Sequence, residues 1–165
     1  MNNQPILLTS EAQTQQIARH IADLAEVGDV IYLQGTLGMG KSVLARAFIQ
    51  HLAGCKIEIP SPTFTLVQTY DSLKKPVWHL DLYRLTTPDE VYELGLDEAL
   101  ASAITLIEWP ERLGTISFAN TLRVTLSQGP NENGRLLHYV PQGRWAAKLT
   151  EGGMQEGAPP LKADS

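Results

Sequence analysis

A single-domain α/β fold, with a mixed central sheet flanked by helices and an antiparallel hairpin inserted beside it, is predicted by three stretches of this sequence. Val30-Ile31-Tyr32-Leu33 is a short β-favouring run, followed at once by the glycine-rich Gly35-Thr36-Leu37-Gly38-Met39-Gly40-Lys41-Ser42. Ile104-Thr105-Leu106-Ile107 is an apolar, β-branched run of the kind buried in a parallel strand, and it ends in Glu108. Between them, Thr63 to Tyr70 and Pro76 to Tyr83 read as two strands joined by the polar turn Asp71-Ser72-Leu73-Lys74-Lys75.

Taken in order, Ile6-Leu7-Leu8 is a short edge strand. Ser10-Glu11-Ala12-Gln13 reads as a capping box, with Ser10 as N-cap and Gln13 reaching back. The helix behind it carries Ile17, Ile21 and Leu24 on one stripe and ends near Gly28. On sequence alone Ser10, Glu11 and Thr14 serve that cap, while Ser10 and Glu11 also stand as candidate nucleotide contacts. The glycine stretch fits G-x-x-x-x-G-K-[ST], in which successive backbone N–H groups cradle phosphates. Lys41 then reaches the β- and γ-phosphates, and the Ser42 hydroxyl holds a Mg²⁺. Val43 to Leu52 follows as a helix, with Leu44, Phe48 and Leu52 at helical spacing and Gly54 as its stop. Strand, glycine loop and helix in this order make a P-loop NTPase-like unit.

Pro60-Ser61-Pro62-Thr63-Phe64 is stiffened by two prolines that bar a helix. Its hydroxyls suit either a plain turn or a loop that senses the γ-phosphate. The second arm of the hairpin carries His79, Asp81 and Arg84. Asp81 and Arg84 read either as a surface pair worth little or, for Asp81, as a group that orients an attacking water. Pro88-Asp89-Glu90 opens a short helix broken at Gly95, and Leu96 to Leu100 adds a turn or two. Glu108, at the C-terminal end of an apolar strand, occupies the place where open α/β sheets hold ligands. That place usually carries Asp, so Asp81 and Glu108 compete for the metal; the more apolar strand favours Glu108. Trp109 belongs near the nucleotide if Glu108 does, and otherwise to the core. Asn120 to Leu126 and Gly134 to Val140 read as a terminal hairpin, which closes an ATPase domain over residues 1–143. Residues 144–165, with Gly152-Gly153, Gly157 and Pro159-Pro160, read as a poorly ordered tail.

Composition narrows the function. With 13 Lys and Arg against 18 Asp and Glu, the net charge is −5, and no basic stripe is visible for gripping a nucleic acid directly. No apolar run is long enough to span a bilayer, the first residues lack the features of a signal peptide, and the single Cys55 fits a reducing compartment. A cytoplasmic protein without membrane attachment is the expectation, with Cys55 as a small packing residue at a helix end. The guanine-reading N-K-x-D tetrapeptide is absent, which favours ATP.

The glycine stretch, Ser61-Pro62-Thr63-Phe64, His79-Leu80-Asp81-Leu82-Tyr83-Arg84 and Ile107-Glu108-Trp109-Pro110-Glu111 together resemble the TsaE (YjeE) family, in the same order and with similar spacing from about Leu7 to Val140. The resemblance implies a weak, Mg²⁺-dependent ATPase needed for the threonylcarbamoyladenosine modification of tRNA. It implies TsaD-like and TsaB-like partners, reset between turnovers, with tRNA met only through them. Carried onto this chain, Gly38, Met39, Gly40, Lys41, Ser42 and Val43, with Ser10, Glu11 and Trp109, form the nucleotide-binding set. Ser42 and Glu108 hold Mg²⁺, and Asp81, Lys41 and Thr63 form the catalytic set, Thr63 in a mobile loop. The family often has Ala at Met39 and Thr at Ser42; serine keeps the metal-binding hydroxyl. Two other readings accompany this one: a nucleotide-gated binding module that needs no hydrolysis, and a small-molecule kinase.

Overall fold

The computed structural model describes residues 4–151. One seven-stranded mixed sheet organises them, in the order β1-β7-β6-β2-β5-β4-β3. Its centre is parallel: β2 (Val30–Gln34) lies between β5 (Ile104–Glu108) and β6 (Thr121–Gln128), and β4 (Val77–Asp81) lies beyond β5. Both margins are antiparallel. β3 (Val67–Tyr70) pairs with β4, while β7 (Arg135–Gln142) pairs with β6 and with β1 (Ile6–Leu8). The hairpin predicted as an insertion is therefore part of the sheet, its second arm a buried parallel neighbour of β5.

Burial on both faces explains why β2 and β5 read as nearly unbroken apolar runs; β4 is buried as fully but carries His79 and Asp81. Alternation sends Ile31, Leu33, Val77 and Leu106 to one core, shared with helices α1 (Glu11–Leu24) and α2 (Lys41–Ala53). Val30, Tyr32, Leu80 and Ile107 face a second core beneath the short helices α3 (Glu90–Glu93) and α4 (Leu96–Ser102).

The α1 cap forms as its sequence requires, the Ser10 hydroxyl accepting from the Gln13 N–H at 3.3 Å. Gln13 reaches back one residue further than in the usual box, its Oε1 accepting from the Thr9 N–H at 2.7 Å. The far end of α1 is closed from outside. Lys75 Nζ donates to the carbonyls of Ala22, Asp23 and Ala25 at 3.2, 3.0 and 2.7 Å, which satisfies groups the helix leaves open. Burial holds this ammonium below the ordinary lysine pKa, opposed by the carboxylate of Asp23. Lys75→Met should lower stability by about 1–3 kcal/mol, the scale of a charge-assisted bond with its acceptors left unpaired. The measurement is the urea midpoint, and an unchanged midpoint would contradict the cap.

Several expectations change. The first hairpin arm begins at Val67, four residues later than predicted, because Pro62 O accepts from the Leu66 N–H at 2.8 Å and closes a turn on itself. Leu66 takes a left-handed φ of 68°, uncommon for a branched residue, to leave that turn. The second change concerns the tail. Trp145–Glu151 forms a helix, α5, and the Trp145 side chain is fully buried in the first core. Asp29, itself fully buried, takes the Arg144 guanidinium at 2.8 Å and Lys148 Nζ at 2.7 Å. The glycines and prolines that suggested a tail all follow this helix; residues 152–165 lie outside the described residues. Cys55 is exposed beside the end of α2, not packed.

Candidate active site

The strand register brings the site together. Leu33 at the end of β2 and Asp81 at the end of β4 both stand opposite Glu108 on β5. The loop that follows β2 thus runs directly past two neighbouring carboxylates. Gly35 starts this loop with a backbone so near β6 that a Cβ would lie 2.5 Å from the Leu126 carbonyl oxygen. Gly40 ends it at φ 107°, a left-handed conformation open to glycine, and α2 begins at Lys41. No side chain caps α2, so its first N–H groups and positive dipole end are available to an anion.

A cavity of about 660 Å³ lies over this junction. Gly38, Gly40, Lys41, Ser42 and Val43 line it from the loop and helix, Thr63 from the turn, and Asp81, Glu108 and Trp109 from the strand ends. Every catalytic and metal-binding candidate read from the sequence meets there. Lys41 is buried and carries no ion pair among the described residues; its Nζ rests 4.6 Å from the centre of the Trp109 ring, a cation–π contact. Trp109 holds this place at a left-handed φ of 58°, with the Tyr83 ring 4.9 Å away. Strain of that kind at a non-glycine residue is characteristic of functional positions.

The carboxylates are ordered differently. Asp81 Oδ1 accepts from the Tyr83 N–H at 3.0 Å, which turns the chain just after β4. Glu108 Oε2 contacts His79 Nε2 at 3.1 Å, with both side chains buried. Asp81 forms no pair with Arg84 among the described residues; the Arg84 guanidinium lies 4.7 Å from the centre of the Phe64 ring instead. Ser61 Oγ and Thr63 Oγ1 are 2.7 Å apart and tie the proline turn together.

Ser10 and Glu11 do not reach this cavity. They line a second one of about 370 Å³ with Met39 and with Gly38, Gly40 and Val43, which line both cavities. Ser10 is thus both helix cap and cavity wall, and the two readings do not compete. Arg135, which sequence reasoning missed, lines the same space and donates from Nη2 to the Gly38 carbonyl at 3.3 Å. It stands on β7, almost a hundred residues away in the chain, and no local pattern marks it.

Against known proteins, the family model described as "Threonylcarbamoyl adenosine biosynthesis protein TsaE" matches residues 8–136. The chain belongs to the TsaE family. It is 43% identical over 111 residues to the tRNA threonylcarbamoyladenosine biosynthesis protein TsaE of Rickettsia bellii, covering 67% of this chain and 77% of that protein. The TsaE of Synechocystis is 42% identical over 118 residues, with 68% and 73% covered. Among solved structures, Bacillus subtilis YdiB superposes with a TM-score of 0.74 at 23% identity, covering 91% of this chain and 93% of that one, a likeness of fold. The TsaE match spans the glycine loop, the proline turn and both carboxylate strands, and it places this chain in a family of tRNA threonylcarbamoyladenosine biosynthesis. No described helix is long and apolar enough to cross a membrane.

Proposed function

We propose that this TsaE-family chain binds and hydrolyses ATP with Mg²⁺, and that this cycle drives TsaD-like and TsaB-like partners through tRNA threonylcarbamoyl transfer. The observation that carries the reading is the convergence of an uncapped helix N-terminus, a buried lysine with no ion pair among the described residues and two neighbouring carboxylates on one cavity. The triphosphate lies along the loop amides, with Lys41 on its β- and γ-oxygens. The second cavity, walled by Ser10 and Glu11, takes the nucleoside end.

The donor set suits Mg²⁺. Ser42 and Glu108 offer hard oxygen ligands in the same cavity, and Glu108 Oε1 has no protein partner among the described residues. No cluster of three or more His, Cys, Asp or Glu ligands exists among the described residues, which fits a metal carried on nucleotide phosphates rather than in a protein cage. Bound there, Mg²⁺ would neutralise charge on the β- and γ-phosphate oxygens. Asp81 orients the attacking water with Oδ2, while its Oδ1 is fixed by the Tyr83 amide. Thr63 approaches the γ-phosphate from the proline turn. Phosphoryl transfer needs little beyond such positioning and charge neutralisation. None of the described residues lining the main cavity is an arginine, so a guanidinium from a partner would raise a weak intrinsic rate.

The test is reconstituted tRNA modification with TsaD and TsaB subunits, followed together with phosphate release. Asp81→Ala should slow partner-stimulated release about 100-fold or more, the lower end of a lost proton-handling group, with nucleotide affinity little changed. Absence of partner-stimulated release from the unaltered chain would overturn the proposal. Full modification by a hydrolysis-dead Asp81→Ala would instead favour a nucleotide-gated module. The exposed Leu37 and Phe64 beside the cavity are the feature that gives this second reading weight.

A further inference from the structure

The geometry points to His79 as the positioning residue for Glu108, an inference that rests on the proposed role of Glu108 in holding the metal. His79 precedes Asp81 by two residues on β4, so both side chains leave the same face of the sheet. Asp81 in turn stands opposite Glu108 in the parallel register. His79 is thus set one step back along the strand from the carboxylate pair, at 4% exposure against 6% for Glu108. Its Nε2 lies 3.1 Å from Glu108 Oε2. An ionised carboxylate has no hydrogen to give, so Nε2 is the donor and Oε2 is committed to it.

What this bond does follows from the length of the side chain. Glutamate carries one more rotatable bond than aspartate, the residue usual at such strand ends. A free glutamate there would spread its oxygens over several rotamers. The His79 bond removes that freedom and presents a single oxygen, Oε1, to the cavity. His79 and Glu108 line one narrow cleft together with Ser42, Arg46 and Ser61. The start of α2 and the proline turn thus line the same cleft as the imidazole. His79 Nδ1 has no partner of its own, so Oε2 is the one polar contact that fixes the ring among the described residues.

The test uses the full chain with ADP and Mn²⁺ as probes, reading metal occupancy by electron paramagnetic resonance and metal-free ADP affinity by calorimetry in EDTA. His79→Leu should raise the free Mn²⁺ needed for half-occupancy about 10-fold, the lower end for loss of an outer-shell partner, with metal-free ADP affinity within about twofold. His79→Gln, which keeps an N–H near the Nε2 position, should recover occupancy to within about threefold of the unaltered chain. In Glu108→Ala the added His79→Leu should change nothing, because the two residues act as a unit. If His79→Leu does not fold, His79→Asn carries the same expectation, its amide falling short of Oε2. Normal Mn²⁺ occupancy in a folded His79→Leu or His79→Asn would overturn the positioning role and leave the metal role of Glu108 standing. So would a further loss when His79→Leu is added to Glu108→Ala. Normal occupancy in Glu108→Ala alone would overturn the metal role, and the inference with it.

Discussion

Lys41→Ala is expected to weaken ATP binding about a thousandfold. The side chain is 8% exposed, sits against the Trp109 ring, and pairs with no carboxylate among the described residues. Its charge is thus held in a partly dry cavity with no ion-pair partner among the described residues. At an effective dielectric constant of about 20, a unit charge pair at roughly 4 Å is worth about 4 kcal/mol. At about 1.4 kcal/mol per tenfold, that is close to three decades of affinity. Lys41→Arg keeps the charge but brings a planar fork into a space shaped for a point charge, so it should recover only part of the loss. Calorimetry with ATP measures the effect, and Trp109, in contact with the ammonium, offers an independent fluorescence signal. A folded Lys41→Ala that binds ATP within threefold of the unaltered chain would remove the basis for the phosphate-loop assignment.

Trp145→Ala should cost about 3–5 kcal/mol of stability, the range for a large aromatic removed from a core. For a chain of this size, about 2–4 °C per kcal/mol converts that to a fall in Tm on the order of 10 °C. The whole indole is buried against the sheet face that also holds α1 and α2, so its loss opens a cavity in the larger core. Trp145→Phe should be much milder. The indole Nε1 is buried without a hydrogen-bond partner among the described residues, so phenylalanine loses volume but no satisfied polar contact there. Thermal unfolding of the three proteins checks both expectations. If Trp145→Ala unfolds within about 2 °C of the unaltered chain, the segment after Gln142 would be the loose tail its composition suggests.

The contrast between Lys41 and Trp145 shows where sequence reasoning reached and where it stopped. Lys41, Ser42, Asp81 and Glu108 were legible as candidates for one cavity because they are tied to local order: a strand, a glycine turn, a helix, a strand that ends in acid. Trp145 was not, because seven helical residues beside a glycine- and proline-rich end carry almost no local signal. Its helix is held by Asp29, which lies more than a hundred residues earlier in the chain. The start of β3 was misplaced for a related reason. Alternation from Thr63 suits a strand, but the turn closed by Pro62 and Leu66 uses up the backbone groups that pairing would need.

By itself the sequence determined the class of fold, the order of strand, glycine loop and helix, the four motifs of the TsaE family and nearly all the candidate chemistry. Those features depend on neighbours a few residues apart, where spacing and propensity speak directly. Only the tertiary structure decided that Asp81 and Glu108 stand side by side, that His79 reaches one and not the other, that Arg135 holds the glycine loop, and that α5 belongs to the core. Each of these rests on strand register or on packing between distant segments, and both are set by the sheet as a whole.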